Sequence, residues 1–192
     1  MKGLSLSTPM VIAWNEGRKA VTRRLMNPQP DSELLIDGFL CDAKGFRIKP
    51  RYLPGETAYI KETWRVVRVW EGYGAGRGMV VEYKTDGATK EIYEIHLLPS
   101  SAWRSSTTMP AFAARSFARI VSVRPERIRE ITEEEAVREG IYLNPYYVWH
   151  WRADSGMGFP NAVAAYAALW ESLHPGSWEK NEFVFRYELE KI

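Results

Sequence analysis

Apolar positions recur at helical spacing near the start of the chain, where Met10, Val11 and Trp14 form one stripe. Thr8 can cap a helix there, Pro9 suits its first position, and Gly17 stands where a glycine ends one. Asn27-Pro28-Gln29-Pro30 breaks regular structure, and residues 31–50 form a polar, glycine-containing connection with weak strand signals. After the Pro54-Gly55 turn, Thr57 to Trp64 is rich in aromatic and β-branched residues and predicts a strand. Two more strand-like runs, Trp64–Trp70 and Met79–Tyr83, flank the glycine-rich segment 72–78. No helix follows that segment, so it predicts a hairpin loop in preference to a phosphate-binding loop. Glu91–Leu97 and Phe117–Val123 predict further strands, separated by a Ser/Thr-rich loop at 100–108 that ends in Met109-Pro110.

The second half carries the clearest local signal. Thr132-Glu133-Glu134-Glu135 has the form of a capping box, with Thr132 as the cap and Glu135 at the third helical position, and Gly140 closes the short helix. Residues 141–160 form an irregular aromatic insert with Tyr142, Tyr146, Tyr147, Trp149 and Trp151. A last helix is predicted over 162–173, with Val163, Tyr166, Trp170 and Leu173 on one face, and His174-Pro175-Gly176 stops it. Phe183, Phe185, Tyr187 and Leu189 then alternate with other residues, so the chain ends in a strand. This order of elements predicts an α+β fold with a mainly antiparallel sheet, and 192 residues without an internal repeat predict a single domain.

Composition adds limits. Apolar residues make up 45% and charged residues 26%, the balance of a folded globule. The net charge of +2 gives no argument for nucleic acid, but its distribution does. Lys2, Arg18, Lys19, Arg23 and Arg24 crowd the first thirty residues, and Arg104, Arg115, Arg119, Arg124, Arg127 and Arg129 crowd 101–130. Folded together, the two segments would make a local basic surface. Cys41 is the single cysteine, which excludes an internal disulfide and fits a reducing compartment. With no signal-peptide pattern and no membrane-length apolar run, the expected location is cytoplasmic.

His96, His150 and His174 lie far apart and show no metal spacing, and the serine elbow, P-loop and dinucleotide fingerprint are all missing. No cofactor is expected. Gly17-Arg18-Lys19-Ala20-Val21-Thr22-Arg23-Arg24 is different, because it packs four cations into seven residues. Cations after a helix end satisfy its carbonyls and dipole, which accounts for Arg18 and Lys19 but poorly for Thr22 and two more arginines. Crowded cations lower a lysine's pKa, and a neutral amine can take a proton from a hydroxyl such as that of Thr22. In an extended strand Lys19 and Thr22 point to opposite faces, whereas in a turn they can meet. Glu139 is the second oddity, a carboxylate facing the negative end of a helix dipole. A neighbouring cation would explain it.

The runs GRKAVTRR, PGETAYIKETW, MP and ITEEEAVREGI occur in the order seen in ASCH-domain proteins, and the C-terminal LWESL followed by Trp178-Glu179 resembles their phage and prophage branch. The resemblance implies a PUA-like β-barrel of mainly antiparallel strands with short flanking helices. Against that family's short members, this chain carries insertions near 31–50, 65–100 and 141–160. One branch hydrolyses the acetyl amide of acetylated cytidine with a Lys, Thr and Glu triad. Its motif falls here on Lys19 as base, Thr22 as nucleophile and Glu139 as the orienting, proton-handling carboxylate. Arg24 matches a substrate-side arginine, and Arg18, Arg23, Glu62, Trp64 and Arg115 complete the expected substrate- or RNA-binding set. The implied partner is RNA or a modified nucleoside; no membrane and no metal are expected, and the sequence leaves the oligomeric state open, with a monomer favoured. Two alternatives stay open: a non-catalytic RNA-binding module, and a ribonuclease acting on single strands.

Overall fold

The computed structural model describes residues 1–30, 35–36, 39–72, 76–93, 102–146, 148–151 and 158–192. The first elements are β1 (Lys2–Ser5), α1 (Thr8–Asn15), β2 (Val21–Leu25), β3 (Leu35–Ile36), β4 (Phe39–Leu40) and β5 (Thr57–Lys61). Then come β6 (Trp64–Gly72), β7 (Gly76–Tyr83), β8 (Thr89–Tyr93) and β9 (Phe117–Arg127). The last are α2 (Glu133–Arg138), β10 (Tyr142–Leu143), β11 (Trp149–His150), α3 (Ala162–Leu173) and β12 (Phe183–Lys191). Both element types contribute, and the fold is α+β. The chain divides into two compact units: Met1–Asn15, Thr57–Ala118 and Lys191–Ile192 form the first, Glu16–Glu56 and Arg119–Glu190 the second.

In the first unit β1 pairs in parallel with β5, from Lys2 opposite Ala58 to Ser5 opposite Lys61. The sequence pattern does not announce β1, because a four-residue strand with one buried leucine, Leu4, has too little alternation to read. Gly3 is required there by close approach, since a Cβ would lie 2.6 Å from the Tyr59 ring. Helix α1 buries Met10, Val11, Ala13 and Trp14, as its stripe predicts, and the Trp14 indole donates to Ser116 Oγ at 2.7 Å. Strands β6, β7 and β8 form an antiparallel ladder. One face sends Val66, Met79, Val81 and Ile92 into a core with Tyr59, Trp64, Tyr83 and Met109. Full burial of each such aliphatic side chain is worth roughly 1.5–3 kcal/mol. On the other face the Trp70 indole approaches Gly78 so closely that a Cβ there would collide with its ring. The glycine-rich segment joins β6 to β7 as the expected hairpin, with residues 73–75 outside those described. The same holds for 94–97 of the strand expected over Glu91–Leu97, for His96, and for the start of the Ser/Thr-rich loop.

In the second unit β12 lies between β9 and β2. Its pairing with β2 is antiparallel, with Tyr187 opposite Thr22 and Arg186 opposite Arg23. Helix α3 buries Ala162, Ala165, Tyr166, Leu169 and Trp170. Two positions of its expected stripe fall outside that seam: Val163 is half-buried and Leu173 is exposed. Ala162 and Ala165 share the seam with the larger side chains, and a pattern read on large apolar residues overlooks them. The aromatic insert contains a short hairpin, with Tyr142 opposite His150 and Leu143 opposite Trp149. Asn144 Oδ1 closes it by accepting from the backbone N–H groups of Tyr146 and Val148. Tyr147 and residues 152–157 lie outside those described. No helix among the described residues is long and apolar enough to cross a membrane, and none of their His, Cys, Asp and Glu side chains group in threes to hold a metal ion.

Candidate functional site

The second unit brings the end of α2 against the start of β2. Ala20 makes the junction: its N–H donates to the Arg138 carbonyl and its carbonyl accepts from Leu189 N–H, both at 2.8 Å. Lys19 is thereby held beside the last turn of the helix. The helix end is fixed by its own sequence. Gly140 has φ +106°, its N–H donates to the Val137 carbonyl, and Ile141 N–H donates to the Ala136 carbonyl. This is a Schellman cap, which needs a residue able to adopt positive φ after the helix. The fully buried Ile141 anchors it and leaves Glu139 as the capping residue, 3% exposed.

Lys19 Nζ donates to Glu139 Oε2 at 2.7 Å, to the Glu139 carbonyl at 2.8 Å and to the Val21 carbonyl at 2.8 Å. Three acceptors match the three hydrogens of an ammonium. Burial pulls the Lys19 ammonium below the ordinary lysine value; Glu139 opposes that pull, and Arg24 and Arg23 reinforce it. The cation that Glu139 needed at the negative end of its helix dipole is therefore Lys19.

Arg23 is buried and serves three carboxylates: Nε donates to Glu126 at 2.6 Å, Nη1 to Glu139 at 3.2 Å, and Nη2 to Glu135. Burial disfavours its charge, but Glu139, Tyr166, Glu126 and Glu135 together outweigh burial and hold the guanidinium well above the ordinary arginine value. Glu135 also accepts from Arg124 at 3.0 Å and from Arg186 at 2.8 Å. Burial favours its neutral form, yet Arg23, Arg186 and Arg124 prevail and hold the carboxyl below the ordinary glutamate value. Only half of the expected capping box forms as a result. Thr132 Oγ1 accepts from Glu135 N–H at 3.2 Å, while the Glu135 carboxylate turns to the arginines.

Of the three residues expected to converge, Lys19 and Glu139 do so. Thr22 is buried in β2, 3% exposed, and among the described residues its hydroxyl is hydrogen-bonded to neither. Alternation along β2 sets Thr22 and Arg24 on the face opposite Arg23. Arg24 is half-buried and acts electrostatically on Lys19, Tyr166, His174 and Tyr187. Arg18 pairs with Glu16, donates to the Gly140 carbonyl at 3.0 Å and lies 5.1 Å from the Tyr142 ring centroid. The expected basic surface is largely neutralised: Arg23 and Arg124 meet Glu126 and Glu135, and Arg119 meets Glu190. Arg23 is buried and needs its carboxylates, since buried charge demands a partner, whereas Arg119 and Arg124 are largely exposed and their pairs add little.

The remaining candidates belong to the first unit. Arg115 grips Glu62 with Nε and Nη2 at 2.8 and 2.7 Å, donates to Asp86 at 2.9 Å and lies 4.0 Å from the Tyr83 ring centroid. Trp64 is 1% exposed, so its ring faces core and not solvent. Its Nε1 is the one buried side-chain nitrogen or oxygen without a hydrogen-bond partner among the described residues.

Sequence reasoning missed Glu126 and Arg186 and took Tyr166 for core alone. The Tyr166 hydroxyl donates to Glu139 Oε1 at 3.4 Å. Arg186 sits between Phe185 and Tyr187, where alternation reads as a solvent face, but β12 is buried on both faces from Phe183 to Tyr187. No family model matches the chain, and no curated protein and no solved structure matches it.

Proposed function

We propose that the chain is an ASCH-type domain with a PUA-like β-barrel, taking RNA or a modified nucleoside as partner and hydrolysing the acetyl amide of acetylated cytidine. The observation that carries this reading is the buried Lys19–Glu139 pair, with Thr22 three residues from the lysine. A 2.7 Å contact between an ammonium and a carboxylate, both out of water, is a route for proton exchange. Once Lys19 hands its proton to Glu139, the amine takes the Thr22 proton through one bridging water as Thr22 Oγ bonds to the acetyl carbon. The carbon–nitrogen bond breaks, and the exocyclic nitrogen takes a proton back from Lys19. The oxygen of a water then bonds to the acetyl carbon as the ester bond to Thr22 breaks, one of its protons restores the Thr22 hydroxyl, acetic acid leaves, and Glu139 returns its proton to Lys19. Arg24, on the Thr22 face of β2, is the proposed substrate-side cation.

A second reading is an RNA-binding module without catalysis. It draws on the geometry of Lys19, whose three hydrogens all have acceptors and whose amine is not joined to Thr22. Incubation with acetylated cytidine, other modified nucleosides and labelled RNA, followed by mass spectrometry, separates the two. Loss of one acetyl group from the free nucleoside is the result expected of the enzyme. Unchanged nucleosides with salt-dependent retention of RNA would replace the enzyme by the module.

A further inference from the structure

The two oxygens of Glu139 have different neighbours. Oε2 faces Lys19 Nζ at 2.7 Å, while Oε1 faces Arg23 Nη1 at 3.2 Å and the Tyr166 hydroxyl at 3.4 Å. Tyr166 comes from α3 and is 3% exposed. Its height along α3 is set by α2 itself, because Glu133 accepts from Ala162 N–H at 2.7 Å and from Val163 N–H at 3.3 Å, one turn before the tyrosine. Asn161 adds the ordinary cap by accepting from Ala164 N–H at 2.7 Å. The same short helix thus supplies the carboxylate and fixes the element that holds one of its oxygens.

We infer that Tyr166 is a positioning residue of the site, which with Arg23 holds Glu139 Oε1 so that Oε2 alone faces Lys19 for proton exchange. This rests on the proposed hydrolytic reading for its consequence in turnover, but not for the contact. A carboxylate free to rotate would present either oxygen, or neither, to the lysine. Hydrogen bonds to the charged form also favour it. Burial and the neighbouring Glu139 raise the Tyr166 hydroxyl well above the ordinary tyrosine value, so it stays a donor throughout the working range. The other charged groups acting here are Arg24, which bears on Lys19 and Tyr166, and Glu126, Glu135 and Arg186, which share the Arg23 network.

The test is Tyr166→Phe, which removes one oxygen and keeps the ring. With acetylated cytidine as substrate, KM should stay within about twofold while kcat falls about tenfold. A merely structural tyrosine would lower stability in urea without separating kcat from KM, and an unchanged kcat overturns the inference. Carbon NMR of the protein labelled at glutamate carboxyls and tyrosine Cζ gives a readout without activity. In the wild type, the Tyr166 hydroxyl proton should be protected from solvent exchange and show through-space transfer to the Glu139 carboxyl carbon, and in Tyr166→Phe the Glu139 carboxyl signal should move. A Tyr166 signal indifferent to Glu139 overturns the inference even where the variant does not fold. Absence of wild-type turnover would instead refute the hydrolytic reading and leave the NMR result to decide the contact.

Discussion

A lysine whose every hydrogen is bound and whose neighbours are buried can be a catalyst or a structural post, and substitutions of Thr22, Lys19 and Arg23 give different answers in the two cases. Thr22→Val keeps the shape and removes the hydroxyl. Turnover should then fall at least ~10³-fold with binding almost unchanged, measured as kcat and as nucleoside affinity. Equal activity in Thr22→Val would exclude the threonine as nucleophile and move the reading to a ribonuclease in which the substrate's own 2′-hydroxyl attacks. Lys19→Ala strands Glu139 without its closest cation, and breaking one partner of a buried pair costs about 3–5 kcal/mol. Its loss of activity is thus entangled with loss of stability, which urea titration would reveal. Arg23, buried on three carboxylates, has no guanidinium nitrogen to spare for the phosphate it was expected to touch. Arg23→Ala should destabilise the protein severely and leave the salt slope of RNA binding without a separate effect of its own, because its guanidinium already serves Glu126, Glu135 and Glu139. Burial could not be read at this position from sequence, since four cations in seven residues look alike until the carboxylates that meet them are known.

At the scale of elements, α2 decides the site. Six helical residues between Thr132 and Glu139 place Glu133 on α3, Glu135 on three arginines and Glu139 on Lys19. The helix and both its ends were legible in sequence, because caps are local chemistry: a threonine before the first turn and a glycine after the last. Helix α1, the β6–β7 hairpin and the last strand were legible for the same reason. Strand β2 was not, because its residues carry more charge than a strand pattern allows, and it is the partner β12 that makes Val21–Leu25 extended. Strand β1 was too short to alternate. The candidate site was half legible: the pair Lys19 and Glu139 was found, but the clamp of Arg23 and Tyr166 depends on where α3 lands. A prediction at this scale uses Gly140. At φ +106°, Gly140→Ala forces a side chain into a left-handed conformation and should cost about 1–2 kcal/mol. It should also lower kcat more than KM, since the cap that it strains holds Glu139. Thr132→Ala, at the far end of the helix, should lose about 1 kcal/mol of stability while leaving the kcat-to-KM balance nearly untouched. Equal effects of the two on turnover would mean that the helix end does not position the carboxylate.

For the whole molecule, the pairing of arginines with carboxylates turns into a response to acid. Glu135 lies below its ordinary value of 4.5: burial acts the other way, but Arg23, Arg186 and Arg124 prevail. Glu188 is lowered from 4.5 first by its hydrogen bond with Arg138, and Asp86 is lowered from 3.8 first by its hydrogen bond with Arg115. A carboxyl that is more acidic folded than unfolded adds stability that is fully present above the unfolded value and is lost as pH falls through the folded one, because the unfolded chain takes up protons first. Stability in urea should therefore fall steadily from about pH 5 downwards, over a window set by carboxyls that ordinarily titrate near ~4. Lys19, lowered by burial, makes stability rise with pH between its folded value and the ordinary 10.5. The contributions can be separated because the carboxyls sit in different units, Glu135 and Glu188 in the second and Asp86 in the first. Asp86 is largely exposed, so its share is reduced by solvent screening. Glu135→Gln should lower the neutral-pH stability by leaving three arginines short of one carboxylate, and it should flatten the acid slope by about one proton's worth. Asp86→Asn should change both far less. An acid slope that survives Glu135→Gln intact would mean that the arginines around Glu135 exchange it for water at no cost, and that the buried network does not hold the second unit together.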